Sequence, residues 1–215
     1  CDGCGVSITW EHSAFLERAA VAEVATMNLA QLQTIMPAAK RALLFLDPLN
    51  TAMEEFSINT PLRQAAFLAQ IGHESAQLTF MEELASGSAY DQRADLGNTN
   101  PEAIRIAAAR GSTPGKFWKG RGPIQITGYD NHVALMMALG IDCVEHPELL
   151  CLPVDGCRGS GWFWMVNNIN KWADQGDIDG VSDMVNRGRK TAAYGDANGF
   201  ADRLAIYQRA RKVLV

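Results

Sequence analysis

Two carboxylates nine positions apart open the chemical reading: Glu74 in "QIGHES" and Glu83 in "FMEELASG". Hydrolysis of a glycosidic bond needs one protonated acid to donate to the leaving oxygen and one ionised carboxylate to activate water or attack the sugar. Glu74 ends an apolar run, where partial burial favours the protonated form, and Glu83 lies in a more polar stretch that suits an ionised group. Spacing alone leaves a second possibility open, because Glu82 and Glu83 also read as one turn of solvated helix. A metal reading of "HES" fails, since a zinc-binding helix needs its second histidine four residues on and this chain has Gln77 there. No metal or other cofactor is expected.

The stretch "KFWKGRGPIQITGYDNH", residues 116–132, adds what a sugar-binding cleft would use. Gly120 and Gly122 permit close backbone approach, while Phe117, Trp118 and Tyr129 offer ring faces for stacking. Gln125, Thr127 and Asn131 contribute short amide and hydroxyl groups. A buried strand followed by a turn explains Ile124 and Ile126, but not the density of polar groups beside two glycines.

Helices must carry these groups. "INTPLRQAAFLAQIGHES" has Thr60 as a helix N-cap, Pro61 at the first helical position and a wide apolar face ending at His73 and Glu74. "LAQLQTIM" and "AAKRALLFLDPLNTAMEEF" read as short helices, with Asp47 and Pro48 marking a boundary. From Ala85 to Thr127 the periodicity dissolves, apart from a helix at "PEAIRIAAAR"; a long irregular stretch inside a compact domain is usually functional. Helical patterns return in "YDNHVALMMALG", closed by Gly140, in "GSGWFWMVNNINKWA", in "DIDGVSDMVNRG" and in "NGFADRLAIYQRARKVL". Strand signals are confined to the surroundings of "PIQIT". The expected fold class is mainly α (α+β), with a small β-hairpin or two beside the long loop.

The acidic balance, 19 Lys and Arg against 24 Asp and Glu, speaks against nucleic acid as a partner. No apolar run approaches the roughly 18 residues of a membrane span, so no membrane partner is expected, and no exposed heptad asks for a second copy, so a monomer is. Residues 1–28 read as an N-terminal extension whose alanine-rich "SAFLERAAVAEVATM" forms a helix packing on a body formed by residues 29–215. The start at Cys1 and the five cysteines, in two groups, point to a processed, secreted protein with two disulfides and one leftover thiol.

Taken in order, "LAQLQTIMP", "PLNTAMEEFSINTPLRQAAFLAQIGHES", "EELASGSAYDQRADLGNTNP", "KGRGPIQITGYDNH", "PELL", "MVNRG" and "DRLAIYQRARKVL" resemble glycoside hydrolase family 19 in its bacterial and phage-endolysin branch, over roughly Leu29 to Leu214. The resemblance implies a lysozyme-like helical body with a small sheet lobe flanking a substrate cleft, and inversion at the anomeric carbon, with carboxyl groups roughly 6.5–9.5 Å apart to admit a water. It makes Glu74 the general acid, Glu83 the base and Thr127 the hydroxyl that helps hold the water. On the substrate side it places Gln125, Asn131 and Asn186, with Tyr90 and Arg93 of "YDQR" where the branch carries "YEGR". Arg203 is placed on the substrate side as well, pairing with the acid in the resting cleft. The stretch from Pro101 to Lys116 is longer than the family's usual link, so an extra helix is expected at one end of the cleft. The endolysin-like "ADLGNT" tilts the expected substrate toward bacterial peptidoglycan, a lysozyme or muramidase activity, with chitin as the alternative. A glycan-binding module without turnover is an alternative of another class, against which both glutamates and Thr127 argue.

Overall fold

A computed structural model describes residues 26–215, so Cys1, Cys4 and the body of the expected N-terminal helix lie outside the described residues. Among the described residues the helices run α1 (Leu29–Ile35), α2 (Ala42–Glu55), α3 (Pro61–Glu74), α4 (Pro101–Ala109), α5 (Pro114–Phe117), α6 (Tyr129–Leu139), α7 (Pro153–Val166), α8 (Asn170–Ala173), α9 (Ile178–Arg187) and α10 (Phe200–Leu214). Local chemistry sets their ends. A capping box opens α1, with Asn28 Oδ1 accepting from Gln31 N–H and Gln31 Oε1 accepting from Asn28 N–H, each at 2.9 Å. Thr60 Oγ1 caps α3 by accepting from Arg63 N–H at 3.3 Å. Gly140 and Gly188 close α6 and α9 at a φ of 70°, where an L side chain would be strained.

The boundary expected at Pro48 is absent, because α2 runs straight through it. Proline there forfeits the bond to the Leu44 carbonyl. Leu43 and Leu44 are exposed, so solvent can take that carbonyl, while Phe45, Leu49, Ala52 and Met53 bury the opposite face and carry the helix on.

Helix α3 is the centre of the molecule: Gln64 to Gly72 are all buried. Helix α10 packs along it at close range. A Cβ built on Gly72 would stand 3.0 Å from Ile206 Cδ1, so glycine admits the approach that brings the N-terminal half of α10 beside the C-terminal end of α3. Helices α2 and α7 form a second packed pair, and α1 closes over α10. A smaller apolar cluster of Ala103, Ile106, Ala107, Trp118 and Val144 sits under α4; α4 is the helix expected from the long stretch before Lys116.

The expected β-hairpin contracts to isolated antiparallel bridges, Glu82 with Arg121 and Arg121 with Ile126. Gly122 and Pro123 turn the chain at once after Arg121, and Gly128 ends it after Thr127, so no ladder has room to grow. The two-disulfide expectation also fails, since two bridges would need at least two of Cys143, Cys151 and Cys157 and all three are free thiols. Cys143 Sγ donates to the His132 carbonyl and Cys151 Sγ to that of Met81, each at 3.3 Å and in different surroundings. Burial pushes the Cys143 thiol up to about 12. No helix among the described residues is long and apolar enough to cross a membrane.

Candidate active site

Glu74 is the last residue of α3, and the chain leaves the helix through unusual backbone. Ala76, Gln77 and Leu78 take φ values of 46°, 56° and 62°, one left-handed turn without a glycine. Each such residue costs roughly 1–2 kcal/mol, so the turn must be held by its surroundings. Ser75 Oγ donates to the Ile71 carbonyl at 2.6 Å and accepts from Leu78 N–H at 2.8 Å. Gln77 N–H donates to the Gly72 carbonyl at 2.7 Å, and Gln77 Oε1 accepts from Ala38 N–H at 2.9 Å. Leu78 is fully buried. The turn reverses the chain and delivers Glu83 to the loop that carries Gly120.

Glu83 is gripped from three directions. Its Oε1 accepts from Tyr90 Oη at 3.0 Å, its Oε2 from Gly120 N–H at 3.1 Å, and its own N–H donates to the Gly120 carbonyl at 2.8 Å. Burial, and then the bond to Glu83, raise the Tyr90 phenol, so it stays a donor. Glu82 has a different fate. Lys119 and Arg121 both pair with its Oε1 at 3.1 Å, so the two adjacent glutamates are not one solvated turn. Lys119 also donates to the Glu83 carbonyl at 3.0 Å.

Gly120 is where the expected polar groups meet. A Cβ there would lie 2.7 Å from Gln125 Oε1 and 3.3 Å from Thr127 Oγ1, which puts both beside the backbone that holds Glu83. Thr127 Oγ1 donates to the Gln125 carbonyl at 2.9 Å, and Asn131 Nδ2 to the Thr127 carbonyl at 2.8 Å. Gln125 itself sits at a φ of 62° with its Nε2 on the Gly122 carbonyl.

Around Glu74 the partners come from the far end of the chain. Arg203 Nη2 donates to Glu74 Oε1 at 2.5 Å, Nε donates to the Asn198 carbonyl at 3.0 Å, and Nη1 reaches Gln70 Oε1. Asn186 Oδ1 accepts from Asn198 N–H at 3.0 Å, so Asn186 and Arg203 meet through one residue between them. Gln70 Nε2 in turn donates to Ser182 Oγ at 3.2 Å. His73 Nδ1 lies 2.8 Å from Asp202 Oδ2, a half-buried histidine paired with the first turn of α10.

Three substrate-side expectations need correction. Trp118 is fully buried, donates its Nε1–H to the Val144 carbonyl at 3.1 Å and packs edge-on against Tyr129 and Phe117, so it has no face to give a sugar. Its apolar bulk fills the satellite cluster under α4. Arg203, 1 % exposed, cannot touch a polymer and acts through Glu74. Arg93 commits its guanidinium to Asp95 with bonds of 2.7 and 2.5 Å and, among the described residues, makes no hydrogen bond to Glu83 or Tyr90.

Sequence reasoning missed Gln70, Asn198 and Asn98. Gln70 carried a signal, an amide interrupting the apolar run from Ala65 to Gly72, four residues before Glu74. Fully buried Asn98 donates to the Tyr90 carbonyl at 2.9 Å and accepts from Tyr129 N–H at 3.0 Å, tying the Tyr90 loop to the start of α6. Among the described residues no group of three or more His, Cys, Asp or Glu is placed to hold a metal ion.

The site can be set beside known proteins. A sequence model of glycoside hydrolase family 19, described as chitinase class I, matches residues 54–183, more than half of the chain. An Arabidopsis thaliana endochitinase is 34% identical over 113 residues, covering 52% of this chain and 35% of the relative. A Solanum tuberosum endochitinase is 28% identical over 185 residues, covering 73% of this chain and 54% of the relative. The chain thus spans between about a third and about half of the length of these relatives. Among solved structures, chitinase C from Streptomyces griseus superposes with a TM-score of 0.65 at 19% identity, over 88% of this chain and 76% of that one. A class IV chitinase from Zea mays gives a TM-score of 0.54 at 18% identity, over 88% of this chain and 82% of that one. These likenesses establish the lysozyme-like helical fold, and the family match places the chain in glycoside hydrolase family 19.

Proposed function

We propose that the protein is a secreted, monomeric, inverting glycoside hydrolase that cleaves β-1,4 bonds of chitin. The observation that carries the reading is the unlike setting of the two glutamates. Glu74 ends a buried helix with one oxygen on Arg203, and Glu83 has both oxygens oriented by neutral donors, Tyr90 and the Gly120 backbone. One acid that donates and one base that accepts is the division of labour that inversion requires. In this reading Glu74 protonates the glycosidic oxygen and Glu83 removes a proton from the attacking water. Thr127, already bonded to the Gln125 carbonyl, keeps its oxygen lone pairs for that water. Gln125, Asn131 and Asn186 address the N-acetyl and hydroxyl groups of the sugar.

The endochitinase names of the curated relatives support chitin over peptidoglycan, which the "ADLGNT" segment favoured. Asn98 and Gly97 of that segment serve packing instead. Asn98 bridges two loops, and a Cβ on Gly97 would collide with the Asp130 carboxylate. The test is mass spectrometry and immediate proton NMR of products from chitin oligomers and, separately, from purified peptidoglycan, with Glu74→Gln as blank. Chitin fragments released first as α-anomers are expected. Products ending in N-acetylmuramic acid from peptidoglycan alone would overturn the substrate, and silence on both polymers would make the protein a glycan-binding module.

A further inference from the structure

Helix α9 carries Asp179, Asp183 and Asn186 at i, i+4 and i+7, one face of the helix. All three grip the loop of residues 188–199. Asp179 is 3 % exposed and Asp183 fully buried. Lys190 places its ammonium between them, bonded to Asp179 Oδ2 and 3.4 Å from Asp183 Oδ2. Gly195 N–H donates to Asp179 Oδ1 at 2.6 Å, and Thr191 N–H to Asp183 Oδ2 at 2.8 Å. Asn186 takes Asn198 N–H, and the carbonyl of that same Asn198 receives Arg203 Nε.

We infer that Lys190, Asp179 and Asp183 form an ionic clasp whose work is to position the loop of residues 188–199, and through Asn198 the arginine that holds Glu74. The inference rests on the reading of Glu74 as the acid. These are positioning residues, since none touches the reacting atoms. Two considerations support a placing role over a merely stabilising one. Burying two carboxylates with one ammonium is a poor route to stability, because apolar side chains of similar volume do as well or better. The loop also needs an external template. Gly188, Gly195 and Gly199 take φ values of 70°, 75° and 67°, so its backbone is permissive at three hinges. At the last hinge the loop lies against the residue next to Glu74, where a Cβ on Gly199 would fall 2.0 Å from His73 Cε1.

The experiment compares Lys190→Met with Lys190→Arg in the full chain. Turnover on chitin oligomers is read together with nitrogen-15 NMR exchange of the Asn198 amide and the Arg203 Nε–H. Lys190→Met is expected to lower kcat about tenfold, the weight of one charge-assisted hydrogen bond, with KM changed by less than about twofold. Both exchange signals should quicken by about tenfold or more while the amides of Phe67 to Ile71 keep their protection. Lys190→Arg, which keeps the charge and adds a fork suited to two carboxylates, should restore both readouts. Unchanged exchange at Asn198, or equal loss of protection throughout α3, would overturn the clasp. If Lys190→Met does not fold, Asp183→Asn takes its place, keeping an acceptor for Thr191 N–H while weakening the grip on Lys190, with the same expected pattern. A wild-type chain inactive on every polymer would defeat the chitinase reading alone, since the exchange measurements need no turnover.

Discussion

Arg203 and Glu74, 129 positions apart in sequence, meet at 2.5 Å where the start of α10 crosses the end of α3. The guanidinium is spread over three acceptors at once: the Glu74 carboxylate, the Gln70 amide oxygen and the Asn198 carbonyl. An ammonium has no planar fork with which to copy that arrangement. Arg203→Lys is therefore expected to lower kcat on chitin oligomers by at least about tenfold. Arg203→Met, which strands a partly buried carboxylate, should cost about 3 kcal/mol in denaturant unfolding. A lysine variant with wild-type kcat would remove the fork from the mechanism.

Tyr90 reports on the other carboxylate. Tyr90→Phe deletes the donor to Glu83 Oε1 and leaves the ring in place. One hydrogen bond to a charged group is worth about 1.5–3 kcal/mol, so kcat should fall by roughly ten- to a hundredfold. The remaining bond from Gly120 should hold Glu83 near its position, and KM should move little. A fall confined to KM would make Tyr90 a sugar contact instead of an orienting group.

The physics of short-range order explains what was legible. Thr60–Pro61 starts a helix and Gly140 and Gly188 end helices because caps act within one turn, so these boundaries stand in the sequence as written. Pro48 misleads because its cost depends on whether the Leu44 carbonyl meets solvent, which only the tertiary fold decides. Trp118 misleads for a related reason: a tryptophan among glycines looks the same from sequence whether its ring faces a sugar or the Val144 carbonyl. Glu74 and Glu83 lie nine positions apart and suggest a pair by themselves, but Thr127 and Arg203 are far from them in the chain, and only the family resemblance links all four. The clasp had a local trace, carboxylates at i and i+4 with a lysine beyond them, but that pattern is common on solvated helices and says nothing of burial.

The left-handed turn after Glu74 can be relaxed and broken selectively. Ala76 is exposed with a φ of 46°, so Ala76→Gly removes steric strain without losing packing, and the strain outweighs the added freedom of the unfolded chain. A gain of about 0.5–1 kcal/mol is expected in denaturant unfolding. Ser75→Ala should do the reverse, leaving Leu78 N–H buried without its acceptor at a cost of about 1–3 kcal/mol. Equal effects of the two changes would show that the turn stores no strain.

His132 gives the protein a pH dependence remote from catalysis. It is fully buried, with Nδ1 donating to the Gly128 carbonyl at 2.8 Å and Nε2 lacking a partner. Burial lowers its pKa from 6.5 to about 4, with the nearby Arg121 adding to the effect and the bond to Gly128 opposing it. Above pH 6.5 the ring is neutral in both folded and unfolded chains, so it adds no pH dependence there. Below that value the unfolded chain takes up a proton that the folded chain refuses, and stability falls until pH reaches the folded value. Over the interval of about 2.5 units this amounts to about 3 kcal/mol. The comparison that isolates it is unfolding of wild type and His132→Gln between pH 7 and 4, in which carboxylate contributions are common to both. The wild type should lose more stability than the variant across that window, and parallel curves would mean that His132 gains its proton without opening the fold.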